Sequence, residues 1–244
     1  MTAAGRAGPV ESIQEHAAWT KLLGRYVSGG LVDYASLKRD GQPVLDGYLR
    51  SLESVERSEL ESWPRSERLA FWIDAYNAYA VKLVLEHYPL RSIRSIGLLP
   101  GAAFRRRFIP LERIAGGRLS LDDIEHRFLR ERFRDPRIHF AIVCASRSCP
   151  VLRGEAYRGR DLDAQLDEAA RSFLRDPARN RWDPASRTLF LSSIFRWFRG
   201  DFEAAAGTLA AFVARYVDAP AAEAVRRGGV KIEFLDYDWS LNGR

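Results

Sequence analysis

Residues 66–88, SERLAFWIDAYNAYAVKLVLEHY, constrain this chain more than any other stretch. The run reads as one helix from Ser66 to Tyr88, apolar around most of its circumference and stopped by Pro89. A helix of that kind belongs in the middle of a protein, so the rest of the chain has to wrap around it. It is no membrane span, because Asp74, Asn77, Lys82 and Glu86 interrupt the roughly 18 apolar residues that a bilayer requires. Asp74 and Asn77 would be buried with it, and buried polar groups need hydrogen-bonding partners.

The flanking sequence supplies the wrapping. Residues 1–10 read as a flexible tail, and 11–244 as a single domain, since no repeat, low-complexity tract or long linker divides them. Apolar spacing predicts helices over Ser12–Val27, around Val44–Leu52, over Asp161–Leu174, over Ile194–Phe202 and over Gly207–Val217. Ser120 reads as the N-cap of a further helix reaching Phe133, with Asp122 and Asp123 in its first turn. Phe108–Ile114 and Arg118–Leu121, around Gly116-Gly117, carry a hairpin signal. Ile138–Cys144, IHFAIVC, reads as a central strand buried on both faces, and Thr188–Leu191 and Val230–Tyr237 read as further strands. The fold class expected is α+β, a helical N-terminal half packed on a small, mostly antiparallel sheet.

Chemistry concentrates after the expected central strand, in Cys144-Ala145-Ser146-Arg147-Ser148-Cys149-Pro150. A thiol in a loop beyond a strand end is reachable, which makes Cys149 the candidate nucleophile and leaves Cys144 in the core. Pro150 would open a helical turn capped by Cys149, with Arg147 and Arg153 nearby to lower the thiol pKa and to bind an anionic substrate. Backbone N–H groups near Ser148 and Cys149 would hold an oxyanion.

Of the four histidines, His16 and His87 read as surface or capping residues. His126 lies about 9 Å along its helix from Ser120, and His139 about 16 Å along the expected strand from Cys144. That geometry favours His126 as the base, with Asp201 to orient it and with Asn77 and His139 in supporting or substrate-binding positions. Glu125, His126, His139 and Cys149 could instead form a mixed metal site, but no ligand-spacing motif supports it, so neither metal nor cofactor is expected.

Charge narrows the partners. The net charge is +6, and residues 91–160 hold 16 arginines against 7 acids. That central excess suits an anionic small molecule or an acidic protein surface. No nucleic-acid-binding signature accompanies it, and none is expected to bind. Two cysteines are too few for a disulfide framework. The first residues lack the apolar core of a signal peptide, which points to the cytoplasm. If the start is that of a trimmed precursor, the protein is exported and a Cys144–Cys149 disulfide becomes available.

FWIDAYNAYAVKLVL, LSLDDIEHRFLR, DPRIHFAIVCASRSCPVLR, RWFRGDF and LDYDWSLN, in that order, resemble the domain of unknown function 547 family from about Val32 to Asn242. Its pattern matches at Asn77, Glu125, His126, His139, Cys149, Pro150 and Asp201, and departs from it at Asp74, where the family usually has an amide. The resemblance implies a bacterial branch whose members are often exported, and it brings no assigned activity. Two functions are therefore carried forward. One is a thiol-dependent hydrolase or acyl transferase built on Cys149, His126 and Asp201. The other is a non-catalytic binding module whose basic central face docks an acidic partner or ligand.

Overall fold

A computed structural model describes residues 12–99 and 101–244. The expected tail at 1–10 lies outside them. The apolar run forms a helix, Arg65–His87 (α3), buried from Leu69 to Val81 without a break. Around it pack Ala17–Tyr26 (α1), Gln42–Glu53 (α2) and a helix over 121–133 (α4). Stacked rings knit these helices together, Trp19 on Tyr48 at 5.7 Å and Trp72 on Phe128 at 4.2 Å.

Asp74 and Asn77 are buried within α3, as their surroundings require. Asp74 accepts hydrogen bonds from Trp19 Nε1 (3.1 Å) and the Tyr157 N–H (3.3 Å). His16, expected at the surface or as a cap, does take the N-cap position of α1, but its side chain is buried, with Nδ1 2.6 Å from the Tyr48 hydroxyl.

Ser120 caps α4 as expected, in a capping box with Asp123. The helix widens to a π-type turn over Ile124–Arg130. The expected hairpin is only a bridge between Ile109 and Leu119, since the chain between them makes the short helix Glu112–Ala115.

The central strand does not form. Pro136 starts a 3-10 helix, Pro136–Phe140, capped by Asp135, and residues 141–146 continue as irregular chain. The backbone partner that a strand would have supplied is the Asn77 side chain. Its Nδ2 donates to the Ala141 carbonyl (2.9 Å) and its Oδ1 accepts from the Val143 N–H (2.8 Å).

The fold is α+β. Leu162–Arg175 (α5) leads to Arg181–Asp183 (β1) and Thr188–Leu191 (β2), then to Ser193–Trp197 (α6) and Arg199–Ala206 (α7). Lys231–Phe234 (β3) completes a sheet ordered β1-β2-β3. Its first pair is antiparallel and its second parallel, so this sheet is mixed. The parallel return is made by a long crossover that includes a helix the apolar spacing did not reveal, Ala219–Arg227.

The core has two parts, one around α3 and one in which Phe140, α5, the sheet, α6 and α7 meet. The last residues strap the parts together. Ser240 O accepts from Arg147 N, Leu241 N donates to Arg91 O, and Asn242 joins Ala145, Val32 and Tyr34.

Candidate functional site

Where the two parts of the core meet, α3, α4, the irregular segment, α6 and the C-terminal strap enclose a cleft of about 190 Å³. Tyr76, Phe104, Ile142, Trp197 and Trp239 make its apolar walls. Glu125, His126, His139, Cys144, Cys149 and Tyr237 supply its chemistry.

Both cysteines are free thiols. Ala145 between them adopts a left-handed backbone (φ 60°), which turns the chain sharply after Cys144. A non-glycine residue held there is strained, and such strain gathers at functional sites. The Cys144 N–H donates to Cys149 Sγ (2.8 Å), while Cys144 Sγ lies 2.7 Å from the Ser146 hydroxyl and 3.2 Å from that of Tyr237. Burial works against a Cys144 thiolate, but hydrogen bonds from Cys149, Ser146 and Tyr237 outweigh it and bring this thiol down to about 7. Cys149 goes the other way, pushed up by burial and by the sulfur of Cys144.

The exposure expected of the pair is thus reversed, Cys149 being 3% exposed and Cys144 half-buried. No helix starts at Pro150, so Cys149 has no helix N-terminus beneath it. The N–H groups of Ser148 and Cys149 are occupied, donating to Asp238 O and Ser146 O. Arg147 is exposed, and Arg153 pairs with Glu155 and Glu168 above the Tyr157 ring; neither lines the cleft. Arg179 instead holds the cysteine loop from behind, through the carbonyls of Arg147 and Cys149.

His139 lies on the cleft because its segment is coiled rather than extended. Its ring stacks on Phe198 (3.9 Å), and its Nε2 meets Asp201 Oδ2 at 2.8 Å. Arg130 clamps the same carboxylate with two hydrogen bonds, 2.7 and 2.9 Å. Burial raises the Asp201 carboxyl, but His139 and Arg130 together hold it well below the usual carboxylate range. An ionised Asp201 fixes the proton of neutral His139 on Nε2, which leaves Nδ1 as the lone-pair nitrogen. That Nδ1 is buried without a hydrogen-bond partner, 3.8 Å from Glu125 Oε1. Burial lowers the imidazole and pushes Glu125 up to about 8, so a neutral histidine faces a protonated acid.

His126, the expected base, is exposed on the cleft rim, and its Nδ1 accepts from Arg130 (2.8 Å). Asp201 therefore orients His139 and not His126. Neither imidazole is hydrogen-bonded to a thiol. Among the described residues no group of three His, Cys, Asp or Glu is arranged to hold a metal ion.

Residues 60–174 match the family model for protein of unknown function, DUF547. Over this segment the chain is similar to the DUF547 family. No curated protein and no solved structure matches it. The DUF547 segment contains α3, α4, both cysteines, Glu125 and His139, whereas Tyr237, which lines the cleft, and Asp201, which holds His139, come from beyond it. Tyr237 and Trp239 lie within the C-terminal motif LDYDWSLN, and Arg130 sits one helical turn from His126. Those were the signals from which the three could have been found.

Proposed function

We propose that the cleft performs thiol-dependent acyl transfer, as a hydrolase or an acyl transferase, with Cys144 as nucleophile and His139 as base. The observation that carries this is a thiol brought near neutrality in the same small cleft as an imidazole whose second nitrogen is fixed by Asp201.

The Cys144 thiolate adds to a carbonyl carbon, and the carbonyl electron pair moves onto oxygen. Tyr237 and Ser146, whose hydroxyls already face this sulfur, supply donors for that oxyanion in place of the occupied backbone N–H groups. Collapse expels the leaving group, which takes the proton of Glu125. Water or an acceptor then attacks the thioester as His139 Nδ1 removes its proton, and the thiolate leaves. Glu125 recovers a proton from that imidazolium, which closes the cycle. The aromatic walls and small volume suit a compact acyl group.

The test is incubation with p-nitrophenyl acetate followed by peptide mapping. Cleavage after Arg147 separates the two cysteines. The expected result is a burst of p-nitrophenolate with one acetyl group on the peptide carrying Cys144, absent in Cys144→Ala. In His139→Gln the burst should survive while release of the acetyl group slows. Absence of any adduct, or an adduct on Cys149, would remove the mechanism; the first outcome would favour a cleft that binds a ligand without chemistry.

A further inference from the structure

On the face of α4 away from the cleft, four guanidinium groups meet in a second, smaller recess of about 100 Å³. Arg57 comes from the helix Arg57–Ser62, Arg65 and Arg68 from the first turn of α3, and Arg132 from the end of α4. Among the described residues none of the four has an ion-pair partner. Arg57 Nε donates to the Ile114 carbonyl (2.7 Å) and Arg65 to that of Phe133. Arg132 lies over the Phe128 ring at 4.8 Å, and Arg68 Nε is buried with no hydrogen-bond partner. One acid, Glu61, stands on the rim.

Three partly buried arginines elsewhere in this chain are paired with acids. Arg130 is clamped by Asp201, Arg137 meets Asp135, Asp163 and Asp167, and Arg153 meets two glutamates. In the recess, four cations are gathered where the 23-residue α3 begins, at the positive end of its dipole. Backbone carbonyls orient guanidinium groups there without neutralising them. Like charges at such range repel, and an oxyanion with several lone pairs relieves that repulsion while filling the forks of donors.

We infer that this recess is a binding site for a phosphoryl group. It is too small for a drug-sized ligand, which needs about 300 Å³ or more, so it takes a phosphate or the head of a monoester. The site shares no lining residue with the cysteine cleft.

Titration calorimetry with inorganic phosphate, at fixed ionic strength and near neutral pH, tests the inference. One phosphate should bind with a dissociation constant of about 1 mM or tighter. Arg68→Gln and Arg132→Gln should each weaken binding by about tenfold, the effect of one charge-assisted hydrogen bond. Arg106→Gln, at an exposed arginine elsewhere, should leave it unchanged. Arg132 is itself exposed, so its variant keeps the test valid if Arg68→Gln fails to fold. Sedimentation with phosphatidylcholine vesicles, with and without phosphatidic acid, identifies the source. Binding of free phosphate that the variants weaken assigns a soluble phosphoryl ligand. Binding only to vesicles with phosphatidic acid, weakened in the same variants, assigns a lipid headgroup. Binding in neither assay, or binding that both variants leave intact, overturns the site.

Discussion

Asn77 does with one side chain what a neighbouring strand would do with a backbone. Its amide satisfies a carbonyl and an N–H of the segment that leads into Cys144. Truncation would leave both buried groups unpaired, so Asn77→Ala should cost about 2 kcal/mol or more in urea unfolding. Asn77→Leu, which fills the space, should not rescue it, because it can neither donate to Ala141 O nor accept from the Val143 N–H. That Asn77 would be buried and bonded could be read from its apolar helix; its partners could not, since they lie more than sixty residues away. Glu125 makes a second prediction at this scale. Burial holds its folded pKa at about 8 against an ordinary 4.5, with Arg130 pulling down and Asp122, Cys144 and Asp201 pushing up. The folded state thus keeps a proton that the unfolded chain releases, and this group makes stability fall as pH rises from about 4.5 to about 8. Glu125→Gln removes the proton linkage. Its stability should exceed the parent's by about 1 kcal/mol or more at pH 8 and match it near pH 4.5, read from thermal melts at both pH values.

Elements whose signals are local were legible, and those that depend on a distant partner were not. The span of α3, the capping box of Ser120 and the strand Thr188–Leu191 follow from spacing and capping within a few residues. IHFAIVC has the composition of a buried strand but meets a side chain where a strand would need a ladder. With the strand went the distance argument that set His139 far from Cys144. The π-type turn of α4 also changes which side chains face inward, leaving Glu125 buried and His126 exposed. On α3 the carboxyl of Asp74 is buried, and burial raises its pKa well above the ordinary 3.8 despite the Tyr157 and Trp19 donors. Folding therefore costs proton uptake above that pH. Asp74→Asn keeps an oxygen for both donors, so its stability relative to the parent should grow with pH above about 4 and reach about 1 kcal/mol by pH 8. A flat difference across that range in denaturant melts would show that Asp74 is ionised in the fold.

Across the whole molecule, the cleft exists because two parts of the core and a C-terminal strap meet at the cysteine loop. Asn242 is central to that closure, bonding Ala145 and Val32 through its backbone and Tyr34 through its side chain. Asn242→Ala should lower stability by about 1 kcal/mol and raise amide exchange over residues 145–149 more than within α3. Equal effects in both places would mean the strap has no special hold on the loop. None of this long-range closure was legible from local pattern: Ala145 and Asn242 lie within sequence motifs, but their partners Val32 and Tyr34 do not. A thiolate at Cys144 near neutral pH beside a buried Cys149 is most directly tested by iodoacetamide labelling against pH, with the two cysteines mapped on separate peptides. Cys144 should label with a midpoint near about 7, and Cys149 should stay unlabelled until the chain unfolds. Labelling of Cys149 first, or a Cys144 midpoint at the ordinary thiol value of about 8.5, would contradict it.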